Sequence, residues 1–246
     1  MKISIITATY NSFQTISDCI ASVYDQTYPY IEHIIIDGAS NDKTIEVINS
    51  QPNRVYKLIS EPDNGIYDAM NKGIRIATGD IIGILNSDDL LYDSKVLEQI
   101  AYAFQNNNIE CCFGNLVFFD KTKKIVRKWH SKSFEKGSFA KSWTPAHPTF
   151  YCKKELYEKY GLYKTNYKIA ADVELMLRFL EVNEVRSLFL NEYLVKMQSG
   201  GASNNGINST ITITKELQRV FRENGLPFNL FKYLFYKTLK LKEFIV

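Results

Sequence analysis

Residues 81–89, IIGILNSDD, join a short apolar run to a polar segment that ends in two adjacent acids. The run at 81–85 has no polar alternation, which is typical of a β-strand covered on both faces. The same kind of run predicts further strands at residues 3–7, 34–36, 55–59 and 111–113. We therefore expect a central sheet that is buried on both sides.

Helical patterns separate these strands. The first helix is predicted to begin at a capping box formed by Asn11 and Gln14, and Gly79 is predicted to stop the third. Because strands and helices alternate, we expect right-handed crossovers, a mostly parallel sheet and a Rossmann-like α/β fold. A short helix is predicted at residues 44–48. The other three helices have apolar faces, which comprise Phe13, Ile16, Ile20 and Val23 in the first, Ile66, Met70, Ile74 and Ala77 in the third, and Leu97, Ile100 and Phe104 in the fourth.

The second half of the chain is less regular. Residues 116–119 and 125–129 flank a polar turn and predict an antiparallel hairpin. Residues 131–148 are long and aperiodic, which is typical of a functional or mobile segment. Helices are predicted at 154–160, 172–181 and 210–224, with a polar loop at 199–206. A smaller antiparallel portion should therefore extend the parallel sheet.

Composition limits the function classes. The formal net charge of +3 is too small to indicate a nucleic-acid partner. The four cysteines show no metal-ligand spacing, and the adjacent Cys111 and Cys112 lie in an apolar run, so we interpret all four as buried thiols. The sequence shows no signal peptide and no run of ~20 apolar residues, so we expect a cytoplasmic protein.

Polar residues cluster where the predicted strands end. Ligands of open parallel sheets bind beyond the carboxyl ends of the strands. Asp88 and Asp89 follow the strand at 81–85, and hard carboxylate oxygens suit Mg²⁺ or Mn²⁺ bound to a diphosphate. The other candidate ligands at these positions are Thr7, Ala8, Tyr10 and Asn11 after the first strand, Asp37 after the second, Asn71 and Lys72 on the preceding helix, and Asn86 and Ser87.

A family resemblance accompanies this pattern. Over roughly the first 205 residues the chain resembles glycosyltransferase family 2, whose catalytic domain has the GT-A fold. The matching segments, in order, are residues 3–11, 34–42, 71–73, 79–80, 85–89, 147–150, 171–172 and 200–203. The resemblance implies one domain at 1–226, with a nucleotide-binding half at 1–113 and an acceptor half at 114–226.

The resemblance also implies roles for individual residues. Tyr10 and Asp37 would contact the nucleobase, and Asp88 and Asp89 would hold the metal ion and the ribose. Asp172 would be the general base. The chain departs from the family pattern at Asn86, which stands where the family has an acid, and at Ala171, where the family often has Glu.

Each of these residues also has a structural interpretation. The segment 86–88 is suited to turns and helix caps, and Asp172 could only complement a helix dipole. Lys72 could be a solvated helix lysine. His147 lies between two prolines, and we weigh a structural role equally against contact with the diphosphate or the acceptor.

The predicted function is that of an inverting glycosyltransferase. It would move a hexosyl or N-acetylhexosaminyl group from a nucleotide-diphosphate sugar, a UDP-sugar in the first instance, to a saccharide or lipid-linked acceptor in polysaccharide biosynthesis. A non-catalytic nucleotide-sugar-binding or scaffolding relative is the main alternative. A sugar-phosphate nucleotidyltransferase is less favoured because residues 7–11 hold neither glycine nor a basic residue, and no G-x-G-x-x-G motif supports a dehydrogenase.

Residues 227–246 predict a basic amphipathic helix that begins near Asn229. Its leucines, phenylalanines and lysines suit an in-plane helix at the inner face of a membrane. Alternatively, the helix packs on the body of the protein or on a second subunit of a homo-oligomer. A lipid-linked acceptor would give the membrane location a purpose.

Overall fold

The computed structural model describes residues 1–200 and 207–239, with side chains described for 1–200 and 211–239. The predictions for residues 201–206 and 240–246 lie outside this part of the chain. The strands are β1 Ile3–Thr9, β2 Ile31–Asp37, β3 Val55–Ser60, β4 Ile81–Ile84, β5 Leu90–Leu91, β6 Cys111–Phe119, β7 Ile125–Trp129, β8 Tyr151–Lys153 and β9 Ser187–Gln198. The helices are α1 Ile16–Tyr24, α2 Thr44–Ser50, α3 Ile66–Ile76, α4 Val96–Asn106, α5 Lys154–Tyr160, α6 Ala171–Leu177, α7 Ile207–Glu223 and α8 Leu230–Leu239.

The strands form one sheet in the order β3-β2-β1-β4-β8-β6-β9-β5, with β7 paired to β6. Strands β3, β2, β1 and β4 are mutually parallel, as predicted. Strand β8 runs antiparallel between β4 and β6, and β5 and β7 are also antiparallel to their neighbours. A mostly parallel core with an antiparallel extension is therefore confirmed.

Each face of the sheet carries its own apolar core. Along β1, Ile3 and Ile5 pack into one core, and Ile6 and Ala8 pack into the other. This arrangement explains why the strand sequences lack polar alternation. The four cysteines are free and buried, as predicted, and burial raises the pKa of each thiol.

The start of the first helix differs from the prediction. Helix α1 begins at Ile16, and Phe13 is exposed, so the proposed capping box is wrong. Asn11 instead has a positive φ of 50° and bridges to the loop after β2. Its backbone N–H donates to Ser40 Oγ at 2.8 Å, and its Oδ1 accepts from the Asn41 N–H at 3.0 Å. Residues 11–15 therefore join two strand ends before the helix starts.

Gly79 does not end the third helix, because α3 stops at Ile76. A Cβ at Gly79 would lie 2.8 Å from the Ser4 nitrogen and 2.9 Å from the Lys2 oxygen. Glycine is needed here for close approach to β1 and not for a helix cap. The apolar face of α3 is buried at Met70, Ile74 and Ala77, whereas Ile66 is exposed.

Strand β9 was not predicted, and β6 is longer than expected. One strand, β6, covers both the run at 111–113 and the first arm of the predicted hairpin. Strand β9 pairs with it in parallel, with register shifts around Asn115. There Asn115 Nδ2 donates to Asn191 Oδ1 at 3.1 Å, so a polar bulge interrupts the apolar pattern by which β9 could have been recognised.

Candidate active site

The turn after β4 buries Asp89 and leaves Asp88 partly exposed. Asp89 is buried: its Oδ2 accepts from Asn86 Nδ2 and its Oδ1 from the Gln198 N–H, both at 3.1 Å. Burial, and after it the charge of Asp88, raise the pKa of Asp89. Asp89 therefore ties the turn to the end of β9, and the metal ligation predicted for it stays a prediction.

Asp88 is the half-buried acid of the pair. Burial raises the pKa of its carboxyl, and the nearby His147 opposes that rise. An anion held against a desolvation penalty is stabilised by an incoming cation. Of the two predicted metal ligands, Asp88 is thus the one available to a metal ion.

His147 contacts Asp172 and lies near Asp88. Its Nδ1 is 3.2 Å from Asp172 Oδ2, and Asp172 occupies the first turn of α6. This contact orients the imidazole and the carboxylate relative to each other. The fold therefore brings together the predicted metal ligand, the histidine and the predicted base, from three separate segments of the chain.

The turn that carries His147 is fixed by Thr149. Residues His147–Thr149 form one 3₁₀ turn with Pro148 at its start. The Thr149 hydroxyl donates to the Ala146 carbonyl at 2.7 Å and accepts from the Gly114 N–H at 3.2 Å. Because Gly114 belongs to β6, the sheet itself sets the position of the imidazole.

Two tyrosines flank the base, and sequence reasoning missed both. Tyr67 and Tyr163 stack with ring centroids 5.8 Å apart. Burial, and after it the charge of Asp172, raise the pKa of Tyr67, and burial together with Cys152 and Asp172 raises that of Tyr163. Both rings therefore stay neutral beside the carboxylate. One signal was available, since Tyr67 and Asn71 are four residues apart and share a helix face.

The carboxyl ends of β1, β2 and β3 are joined by hydrogen bonds around Asp37. This buried carboxylate accepts from the Ser40 N–H at 2.9 Å, from the Ser40 hydroxyl, and from the Ser60 hydroxyl at 2.7 Å. Tyr10 is exposed beside this network. The nucleobase contacts of Asp37 and Tyr10 stay predictions. Both residues lie near the strand ends that these hydrogen bonds join.

The remaining donor-binding candidates divide into two groups. Ser87 lies in the turn after β4, where it is 9% exposed and its hydroxyl is 2.9 Å from that of Ser12. Thr7 and Ala8 are buried, and Thr7 Oγ1 is 3.0 Å from Nε2 of His33, whose pKa burial lowers to about 4. Only the backbone of Thr7 and Ala8 is therefore left for a donor contact.

Asn71 and Lys72 have structural partners. The Asn71 amide donates to the Tyr163 carbonyl at 2.8 Å and accepts from the Tyr163 N–H at 3.0 Å. Lys72 Nζ lies 2.8 Å from Glu61 and donates to the Pro62 carbonyl at 2.9 Å. These contacts fix the loop before α3 and the segment before α6, and the donor contacts predicted for both residues stay predictions.

Asn71→Ala should lower the free energy of unfolding by about 1–3 kcal/mol, because it removes the side-chain partner of the partly buried N–H and C=O of Tyr163. Urea denaturation would measure the change. Lys72→Ala serves as the control, since its pair is partly exposed and such pairs contribute about 0–1 kcal/mol. Equal losses in the two variants would contradict the role assigned to Asn71.

The residues around Asp88 fit a divalent cation. Within the described residues, no group of three or more His, Cys, Asp or Glu side chains forms a complete metal cage. Mg²⁺ is usually held by one or two carboxylates, with substrate phosphates and water as the other ligands. Asp88, the more accessible acid in the turn after β4, meets this requirement.

The chain is similar to known glycosyltransferases in sequence and in fold. The chain is 25% identical over 221 residues to the PGL/p-HBAD biosynthesis glycosyltransferase of Mycobacterium bovis, covering 88% of this chain and 83% of the relative. S. aureus TarS 1–349 in complex with UDP-GlcNAc superposes with a TM-score of 0.68 at 14% identity, over 99% of this chain and 71% of that one. The chain spans only 43% of another solved TarS chain.

The mannosyltransferase PcManGT from Pyrobaculum calidifontis, in complex with GDP-Man and Mn²⁺, gives a TM-score of 0.66 at 19% identity, over 90% of this chain and 63% of that one. These structural likenesses confirm the predicted GT-A fold. The family model of glycosyl transferase family 2 matches residues 4–163, which is more than half of the chain. The protein is therefore a glycosyltransferase and belongs to glycosyltransferase family 2.

Proposed function

We propose that this glycosyltransferase moves a hexosyl or N-acetylhexosaminyl group from a nucleotide-diphosphate sugar to an acceptor hydroxyl, with inversion, and that it serves polysaccharide biosynthesis. The observation that carries the proposal is the convergence of Asp88, His147 and Asp172. UDP-GlcNAc and GDP-Man in the neighbouring structures support a nucleotide-sugar donor, and we favour a UDP-sugar. A saccharide or a lipid-linked saccharide is the proposed acceptor.

Asp172 is the proposed general base. His147 engages Oδ2, while Oδ1 is buried and has no hydrogen-bond partner in the described part of the chain. The Asp172 side chain is 19% exposed, and an acceptor hydroxyl that donates to its accessible part would find the carboxylate already oriented. Transfer of its proton to Asp172 would accompany attack on the anomeric carbon. Attack opposite the leaving diphosphate inverts the configuration of that carbon.

Asp88 is the proposed protein ligand for Mg²⁺ or Mn²⁺, together with oxygens of the donor diphosphate. A bound divalent cation supplies Lewis-acid stabilisation of the charge that develops on a leaving diphosphate. Asn86 and Asp89 hold the turn that presents Asp88. His147 contacts the proposed base and lies near the proposed metal ligand.

The test is turnover and binding with defined probes. UDP-GlcNAc, UDP-glucose and GDP-mannose are each added with Mn²⁺, and thermal shift and release of nucleoside diphosphate are measured. A ligand that binds the native state raises its apparent stability. A shift without turnover, even with saccharide acceptors, would favour the non-catalytic binding relative. Release of pyrophosphate from a nucleoside triphosphate and a sugar phosphate would favour the nucleotidyltransferase.

Helix α8 supports a location at an anionic membrane surface. None of the described helices is long and apolar enough to cross a bilayer. The exposed side chains of α8 include Phe231 at 85% and Phe235 at 60%. With Leu234 and Leu239 they follow helical spacing and share one face. That face suits insertion into the interface between headgroups and acyl chains.

The opposite side of α8 is docked on the protein. The Tyr233 ring packs on Phe228 with centroids 5.5 Å apart, and the helix contacts the 3₁₀ turn Phe139–Lys141. Lys232 and Lys237 flank the apolar face, and residues 224–239 contain no acid. Each lysine near an anionic surface contributes about 1 kcal/mol. This charge pattern favours anionic lipid over a second copy of the chain.

A double substitution, Phe231→Ser with Phe235→Ser, should weaken sedimentation with phosphatidylglycerol-containing vesicles at least tenfold. The reason is that fully burying one large apolar side chain contributes roughly 1.5–3 kcal/mol. Tyr102→Ser is the matched control, because Tyr102 is 67% exposed on α4. Equal binding by the double variant and the wild type, or none by the wild type at low salt, would contradict the membrane proposal. Dimerisation lost in the double variant would assign the face to a second copy.

A further inference from the structure

Glu216 of helix α7 binds the backbone just before the proposed base. One carboxylate oxygen accepts from the Lys168 N–H at 2.6 Å. The other accepts from the N–H groups of Ile169 and Ala170 at 3.0 and 2.9 Å. Ala170 is the N-cap of α6, and Asp172 is the second residue of that helix. One carboxylate therefore gathers three consecutive amides that lead directly into the first turn of α6.

The backbone of Ile169 is held at its carbonyl as well as at its N–H. The Tyr67 hydroxyl donates to the Ile169 carbonyl, while Glu216 accepts from the Ile169 N–H. The charges of both Asp172 and Glu216 contribute to the raised pKa of Tyr67, after burial, so the three side chains lie close together. Side chains from helices α3 and α7 thus hold residues 168–170, which lead directly to Asp172, from two sides.

We propose that Glu216 is a positioning residue for Asp172. By fixing residues 168–170 it sets the start of α6, and so the 3.2 Å contact between Asp172 and His147. Small displacements of a reacting group reduce catalysis steeply, because the reacting atoms must stay near attack geometry. This inference rests on the proposed role of Asp172. Glu216 also lies beyond residue 163, where the match to the family model ends.

Helix α7 has other anchors, so a substitution at Glu216 can be interpreted. Leu217, Val220 and Phe221 are buried against the body of the protein. Glu223 accepts hydrogen bonds from Lys164 at 3.0 Å and from the Tyr167 hydroxyl at 2.9 Å. Loss of the Glu216 carboxylate should therefore free the amides of residues 168–170 without releasing α7.

Hydrogen exchange and NMR test the contact without requiring turnover. In Glu216→Ala, the amides of residues 168–170 should exchange at least tenfold faster than in the wild type. The chain has three histidines, so the imidazole ¹⁵N resonances are few enough to follow individually. Glu216→Ala should move the His147 resonances in the same direction as Asp172→Asn does, and leave those of His130 unchanged. Glu223→Gln is the matched control and should change neither readout.

Turnover then tests the consequence. With the donor that the wild type uses, Glu216→Gln should lower kcat about 10–100-fold and leave the donor KM within threefold. In an Asp172→Asn background the same substitution should add little, because residues that act as a unit are not additive.

Several results would overturn the proposal. Unchanged exchange in Glu216→Ala would show that Glu216 does not hold the amides. Faster exchange with unmoved His147 resonances would limit Glu216 to a structural cap, as would an equal loss of kcat with and without Asp172. If no donor is turned over, the proposed function fails, whereas the exchange and His147 measurements still decide whether Glu216 positions Asp172.

Discussion

Asp172→Asn should lower sugar transfer by about 10²–10⁴-fold, the usual contribution of a general base, while the affinity for the donor stays near that of the wild type. The amide has nearly the same shape as the carboxylate and can keep the contact with His147. It cannot take a proton from the acceptor hydroxyl. Initial rates at saturating donor, together with calorimetric titration of the donor, would separate the two effects.

Glu98→Gln is the control for Asp172→Asn. Glu98 is also an acid in the first turn of a helix, and both substitutions remove a charge that complements the helix dipole. Such an acid contributes about 0.3–1 kcal/mol to stability. We expect similar small stability changes in both variants and loss of transfer in Asp172→Asn alone. If donor affinity collapses and the rate per bound donor is unchanged, Asp172 is a binding residue and not the base.

Asp88→Asn should reduce turnover in Mn²⁺ by at least ~10²-fold and yet stabilise the metal-free protein. The loss of turnover follows from removing the available anionic ligand of a hard cation. The gain in stability follows from burial, which raises the pKa of Asp88 because it disfavours the charged form. An amide at this position carries no charge to desolvate. Each kcal/mol of desolvation penalty that the substitution removes should raise Tm by about 2–4 °C in a chain of this size.

The stability of the metal-free protein should also depend on pH, and the direction of that dependence follows from the raised pKa of Asp88. The ordinary pKa of Asp88 is 3.8, and in the folded protein it is higher. Between these two values the folded state binds the proton more tightly than the unfolded state, so stability falls as the pH rises through that window. Asp88→Asn should flatten this decline in metal-free buffer. Wild-type rates in the variant, or full wild-type activity in excess chelator, would contradict metal binding at Asp88.

The parallel half of the fold was predictable because a local sequence pattern specifies each of its strands. Each buried strand is an apolar run, and each run is followed by polar residues at the same edge of the sheet. The predictions that failed concern residues whose roles are set by distant segments. Gly79 was interpreted as a helix stop, but the backbone of β1 packs against it. Strand β9 escaped notice because its apolar pattern is broken opposite the bulge at Asn115.

The same distinction applies to the site. Asp88 follows a strand, and Asp172 begins a helix within a family motif, so both could be named from the sequence. The partners that orient them could not be named in the same way. Tyr67 contacts Ile169, and Glu216 contacts residues 168–170 from a helix near the end of the chain. No periodicity or local motif specifies such pairings.

The place of β8 in the sheet has a consequence for synthesis of the chain. Strand β8 fills the position between β4 and β6, yet about 70 residues separate it from β4 in the sequence. At ribosomal rates of about 5–20 residues per second, β4 would wait roughly 4–14 s for this neighbour. During that interval the backbone groups of β4 that later pair with β8, beside the apolar side chains of Ile82 and Ile84, can pair with other nascent chains. Fragments that end before Tyr151 should therefore aggregate during expression, and chaperones that shield unpaired strand edges should raise the yield of the whole protein.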